Sequence, residues 1–249
     1  MSAYEALAAS YDALTYDIPY EKILQFWETL LKRYRLRPET VLDLACGTGS
    51  LSVLLAEHGY RVIGLDLSEE MLAVADEKCS HLAENRPFFA CQPMQRLRLP
   101  EQVDSVICAL DSLNYVTRPA DVQKTFRRVH DALTPGGLFL FDINTPYKLE
   151  GLAGQTFLDE TEDTYCVWRT EFDPKKRLCY YGMDLFQRDG EVWERSFEEH
   201  IEYAYTAEEL TGWLREAGFT KIDVFGDRKC RAPKEDELRV YLAARKETT

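Results

Sequence analysis

The chain has 249 residues, of which 45% are apolar, 29% charged and 12% aromatic. That composition supports a substantial buried core and excludes disorder, collagen and coiled coil as descriptions of the whole. Forty-three acidic against 30 basic side chains leave a formal charge of -13, which repels a phosphate backbone, so nucleic acid is not expected as a partner. The seven cysteines are scattered and form no C-x-x-C pair, so neither a disulfide framework nor a zinc site is expected, and no cluster of Asp, Glu or His has metal-ligand spacing. The first residues lack the basic start and apolar run of a signal peptide, and no stretch reaches the roughly 18 apolar residues of a membrane span. A soluble, cytoplasmic protein is expected.

From residue 38 onward short apolar runs alternate with segments of helical period, the pattern of a parallel sheet flanked by helices. Residues 41–44 read as the first strand and 50–58 as a helix stopped by Gly59. Residues 61–65 read as the second strand, followed by a helix capped by Ser68 with Glu69 and Glu70 in its first turn. Strands three and four are expected at 87–91 and 103–108. Val122, Phe126, Val129 and Leu133 form one apolar helical stripe, which Thr134-Pro135-Gly136-Gly137 ends before a strand at 138–141. After Pro146 the runs 164–172, 178–186 and 191–203 leave no room for helices and read as an antiparallel meander, with turns at Asp173-Pro174 and Asp189-Gly190. Thr206 with Glu209 makes a capping box for a helix whose apolar face is Leu210, Trp213 and Leu214 and which Gly218 closes. Strands at 221–225 and 237–243 finish one domain carrying an insertion.

The segment V-L-D-L-A-C-G-T-G-S, residues 41–50, runs a buried strand into a glycine turn and then a helix. Gly47 and Gly49 are read as letting the backbone approach a ligand. G-x-G alone also fits a tight turn with no ligand. A dinucleotide fingerprint would need a third glycine at position 52, which is Ser52, and Asp43 inside the strand would repel a pyrophosphate while suiting a cationic amino group. Asp66 ends strand two, where a carboxylate can accept ribose hydroxyls. Acid, glycine turn and acid describe a nucleoside ligand that is positively charged and without phosphates.

Together with V-I-G-L-D-L-S-E-E-M-L at 62–72, this segment resembles the first two motifs of class I S-adenosylmethionine-dependent methyltransferases. The resemblance implies a Rossmann-like α/β fold: a doubly wound, mostly parallel sheet with an antiparallel last strand, plus a small antiparallel β insertion. It divides the chain into a helical lid (1–37), a cofactor-binding core (38–146), a substrate-side insertion (147–205) and a C-terminal return to the core (206–249). S-adenosylmethionine would be the cofactor and S-adenosylhomocysteine its product. Asp43, Ala45, Gly47, Gly49 and Asp66 would hold it, with Leu67 and Met71 along the adenine. The third motif falls on Cys91-Gln92-Pro93-Met94-Gln95, where Pro93 replaces an acid common in relatives; adenine contact is carried to Gln92 and Met94, and Gln92 also reads as a solvated loop residue.

Around the reacting centre, similar enzymes use the loop after strand four, here Leu110, Asp111, Ser112 and their neighbours. Asp111 is the candidate polar group, though Asp-Ser can equally cap a turn. Asn144 could face a substrate or bond its own turn before Pro146. Tyr4, Tyr11, Asp12, Tyr16, Asp17, Tyr20, Phe26 and Trp27 resemble the lid of small bacterial methyltransferases. Tyr11 and Tyr20 suit a sulfonium through their ring faces, while Phe26, Trp27, Leu30 and Leu31 read as ordinary core. His200, flanked by acids, is a candidate base or a structural histidine of its strand. The catalytic candidates are thus Asp111, His200 and Tyr20, acting on a small-molecule acceptor. An NAD(P)-dependent oxidoreductase and a non-catalytic cofactor-binding module are the alternatives.

Overall fold

Apolar residues on both faces of a strand require cover on both faces, and the central strand shows this in full. The structure is a computed structural model that describes residue 8 and residues 10–248; Tyr4 lies outside them. All five residues of β1 (Thr40–Leu44) are buried. Val41 joins a cluster with Trp27, Leu30, Leu51 and Leu55 on one side, and Leu42 and Leu44 join Phe126, Phe139 and Leu210 on the other. The helices supplying these residues are α2 (Tyr20–Tyr34) and α3 (Ser50–Glu57) on the first face, and α5 (Pro119–Ala132) and α7 (Ala207–Glu216) on the second. A four-residue helix, α1 (Tyr11–Leu14), precedes them.

The sheet has seven strands. Here β2 is Arg61–Asp66, β3 Phe88–Cys91, β4 Val103–Cys108, β5 Leu133–Asn144, β10 Lys221–Gly226 and β11 Arg239–Arg245, with α4 (Glu69–Lys78) between β2 and β3. Their order is β10-β11-β5-β4-β1-β2-β3. The last five run parallel, and β11 is antiparallel to both β5 and β10. The order reverses beside β1, which opens a crevice at the carboxyl ends of β1 and β4. A second sheet, β6 (Thr156–Glu160), β7 (Thr164–Asp173), β8 (Leu178–Asp189) and β9 (Val192–Tyr203), is an antiparallel meander. It is tied down by Asn114, a fully buried amide that donates to the carbonyls of Asn144 (3.1 Å) and Tyr203 (3.0 Å) while its Oδ1 accepts the Asn144 N–H (3.1 Å). One side chain thereby joins the loop after β4, the end of β5 and the end of β9.

Four expectations are corrected. Leu133 leaves the helix and opens β5, because it pairs with Val103 of β4; the Thr-Pro-Gly-Gly run lies inside the strand, with Gly136 at φ 80°. A helix, α6 (Pro146–Gly151), follows Pro146 at once, since Thr145 caps it and proline needs no partner at the first position. The edge strand β6 carries no alternating pattern because all five of its residues are exposed. The last strand starts at Arg239 rather than Glu237, whose carboxylate instead binds Arg231 and the backbone N–H groups of Lys234 and Asp227. The capping box of Thr206 and Glu209 is present in both halves, and no helix among the described residues is long and apolar enough to cross a membrane.

Candidate active site

A cavity of about 420 Å³ opens where the sheet order reverses. Its floor is the turn after β1, which has a left-handed residue at every second position: Ala45, Gly47 and Gly49, at φ 61°, 54° and 73°. The two glycines are required for different reasons. A Cβ on Gly47 would meet nothing within 4 Å, so its backbone faces open space and its glycine is demanded by φ alone; a Cβ on Gly49 would lie 2.8 Å from the Ala75 Cβ. Gly49 therefore serves the close approach of α3 to α4, and it is not among the residues that line the cavity.

Two carboxylates stand at the turn. Asp66 closes β2 and accepts three backbone N–H groups, from Gly47 (2.8 Å), Leu67 (2.7 Å) and Ser68 (3.0 Å). A carboxylate offers about four acceptor positions, so its orientation is set before any ligand arrives and about one position stays open. Asp43 is 2% exposed and accepts the Ser52 hydroxyl at 2.6 Å. Burial pushes its carboxyl up to about 7, against the Ser52 bond and with help from Asp66. Because the folded pKa lies above the ordinary 3.8, Asp43 contributes stability that is complete below about pH 4 and lost as pH rises through about 7. Asp43→Asn is accordingly expected to flatten the pH dependence of the thermal midpoint across that window. The difference from wild type should grow by about 1.4 kcal/mol per pH unit; parallel curves for the two proteins would contradict it.

Tyr11 and Tyr20 both line the cavity from the N-terminal side. Burial pushes the Tyr20 hydroxyl up to about 12, with Ser50 opposing and Asp12 and Asp43 adding; burial raises Tyr11 further still, with Tyr20 and then Asp111 adding. Both are neutral phenols near pH 7 and donate hydrogen bonds rather than accept protons. The helix that carries Tyr11 is held from two sides. The Asp12 carboxylate accepts the Thr48 hydroxyl at 2.7 Å and pairs with Lys78 at 2.6 Å, while the Ser10 hydroxyl accepts Gln187 Nε2 at 2.8 Å. Tyr11 and Leu14 pack on Cys166, Met183 and Leu185 of the second sheet. Asp12 was read only as part of an acidic and aromatic cluster, and its partners lie too far along the chain to be seen locally. Tyr16 points to solvent, 86% exposed.

The remaining candidates separate. Ala45, Leu67, Met71, Gln92, Met94 and Leu110 line the cavity with Asp43, Gly47 and Asp66. The Gln92 amide is already used: Oε1 accepts the Arg98 N–H at 3.0 Å and Nε2 donates to the Arg98 carbonyl at 3.2 Å, which clamps the loop after β3. Asp111 and His200 are not among the lining residues. The Asp111 carboxylate pairs with Arg239 at 2.5 Å. His200 is 1% exposed, with Nε2 3.1 Å from Glu198 and its ring edge-on to Tyr115, which does face the cavity. Asn144 neither faces the cavity nor bonds its own turn. Its Nδ2 donates to Glu202 at 2.9 Å and its Oδ1 accepts Lys148 at 2.8 Å; burial first, and then the Asp111 charge, push the Glu202 carboxyl up against that Asn144 bond. The wall also includes Ser112 and Tyr115, from the loop expected at the reacting centre, and Val116, Thr117, Arg118 and Asp121, which the sequence reading passed over. Pro119 at the first position of α5 was the available signal that a helix start lies at this edge.

A family model described as a methyltransferase domain matches residues 41–137, which spans the turn, both carboxylates and the loop after β4. A protein of Geobacillus sp. (strain WCH70) that carries the name putative methyltransferase is 35% identical over 98% of this chain and 99% of its own. The ubiquinone biosynthesis O-methyltransferase of Coxiella burnetii (strain Dugway 5J108-111) is 33% identical over 45% of this chain and 47% of its own. Among solved structures, an S-adenosylmethionine-dependent methyltransferase from Clostridium acetobutylicum ATCC 824 is 31% identical, covers 99% of this chain and 100% of its own, and superimposes with a TM-score of 0.87. With identity of that level sustained over the whole length, and the carboxylates and glycine turn on one cavity, the chain belongs to the class I S-adenosylmethionine-dependent methyltransferases.

Proposed function

We propose that this enzyme transfers the methyl group of S-adenosylmethionine to a small-molecule acceptor, and that the cavity at the carboxyl ends of β1 and β4 holds the cofactor. The observation that carries this reading is the convergence of Asp43, Asp66, the open backbone at Gly47 and the phenols of Tyr11 and Tyr20 on one cavity. The donor set fits: carboxylates suit an amino group and a ribose hydroxyl, and electron-rich ring faces suit a sulfonium. When bound, the cofactor supplies a methyl carbon already activated by positive sulfur. The protein's part is alignment and exclusion of water. Asp66, fixed by three N–H groups, orients the ribose; Asp43 favours the cationic end; Leu67, Met71 and Met94 cover the adenine; and α1, latched by Asp12, closes the cavity. In this reading 1–37 act as lid, 38–146 with 206–249 as cofactor core, and 147–205 as the roof that selects the acceptor.

A neutral Tyr20 donates a hydrogen bond to the acceptor, and Asp111 and His200 act behind the wall as supports rather than at the reacting atoms. A small acceptor is favoured over nucleic acid by charge. Three basic residues of the local clusters at 32–35 and 228–231 are engaged within the fold: Arg33 lies 5.3 Å over the Phe225 ring, and Arg228 and Arg231 pair with Asp227 and Glu237. Incubating the protein with methyl-labelled S-adenosylmethionine and separated cell fractions tests this. Label is expected in the small-metabolite ultrafiltrate; label confined to RNA or protein would overturn the acceptor class.

A further inference from the structure

The wall of the cavity after β4 is built in a conformation that side chains resist. Leu110 and Asp111 are consecutive, neither is glycine, and both have positive φ, 60° and 50°. Such residues persist only where their surroundings hold them, and they gather at functional sites. Ala109, Leu110 and Ser112 of this loop face the cavity. Both N–H groups of the turn go to one side chain: Asp142 of β5, fully buried, accepts the Leu110 N–H on Oδ1 at 2.8 Å and the Asp111 N–H on Oδ2 at 3.0 Å. Two successive N–H groups of a turn on one anion make a concave grip. Asp142 is held in turn by Arg239, the first residue of β11, whose guanidinium donates through Nη1 to Asp142 and through Nη2 to Asp111. A planar fork bridges two carboxylates in a fixed geometry that the single nitrogen of an ammonium does not impose. Arg239 itself does not line the cavity.

We propose that Arg239 is a positioning residue for this methyltransferase: through Asp142 and Asp111 it holds residues 110 and 111 in a left-handed turn, and that turn sets the cavity wall against which the cofactor binds. The proposal rests on the cavity being the cofactor site. Removing Arg239 leaves two apposed carboxylates, and Asp142, which grips the turn through both N–H groups, loses the guanidinium that holds it in place. Two double variants separate these effects, because both delete the Asp111 carboxylate and only one admits positive φ without strain.

The test is the dissociation constant for S-adenosylmethionine, by calorimetry, of the full chain as wild type, Arg239→Met, Asp111→Gly with Arg239→Met, and Asp111→Ala with Arg239→Met. Arg239→Met is expected to weaken binding at least about tenfold. The glycine double variant should return to within about threefold of wild type, and the alanine double variant should stay weak. Equal rescue by glycine and alanine would show that Arg239 only balances charge, and rescue by neither would show that it acts on the ligand itself; each overturns the proposal, as does wild-type affinity in Arg239→Met. Should Arg239→Met alone fail to fold, the two double variants still carry the comparison. Failure of the wild type to bind would overturn the cofactor reading underneath, and it is read before any variant.

Discussion

Asp66→Ala is expected to weaken S-adenosylmethionine binding by on the order of 2 to 4 kcal/mol, roughly thirty- to a thousandfold in the dissociation constant. Part of the loss is the charged hydrogen bond from the ribose. Part is the turn itself, because three N–H groups, those of Gly47, Leu67 and Ser68, lose their common acceptor and the floor of the cavity is no longer set in advance. Asp66→Asn should fall nearly as far, since an amide replaces one accepting oxygen by an NH2 donor where the backbone already supplies donors. Calorimetric titration with S-adenosylmethionine, and with NAD as control, reads the effect. Binding of the former within a factor of about three of wild type in Asp66→Ala would remove Asp66 from the site.

The largest loss of stability is expected at Trp27→Ala. Trp27 is fully buried, stacks edge-on to Tyr60 with ring centres 5.0 Å apart, and donates through Nε1 to the Ser105 hydroxyl at 3.1 Å. Ser105 passes the chain on to the Leu138 carbonyl at 3.0 Å. Truncation removes a large apolar volume and a donor from the cluster that joins α2 and α3 to the sheet, a change that costs about 3 to 5 kcal/mol. In a chain of this length that lowers the thermal midpoint by on the order of 10 °C. Phe157→Ala, on an exposed residue of β6, should leave the midpoint within about 2 °C. A similarly small shift in Trp27→Ala would mean that α2 is not part of the core.

Much of the fold could be read along the chain because the signals are local. A strand buried on both faces reads as a mostly apolar run, as in β1 and β4, and the stripe of Val122, Phe126 and Val129 repeats at the helical period; all three are fully buried. Phe26, Trp27, Leu30 and Leu31 are core as their spacing required. Elements without a local signal were missed. β6 is exposed throughout, and α6 follows a proline that reads as a breaker until it stands at the first helical position.

At the site the division is sharper. The glycine turn, the carboxylates before and after it, and the two tyrosines that line the cavity were legible along the chain, since each follows from its place beside a strand end or ahead of the first strand. Only the tertiary structure decided which polar groups face the cavity and which hold backbone. Asp111 meets Arg239 128 residues away, Gln92 turns onto Arg98, Asn144 joins Glu202 of β9, and Gly49 answers to Ala75 of α4. The physical reason is that a polar side chain in a low-dielectric interior takes whichever partner the packing brings to it, and the register of strands distant in sequence, which no local propensity encodes, chooses that partner.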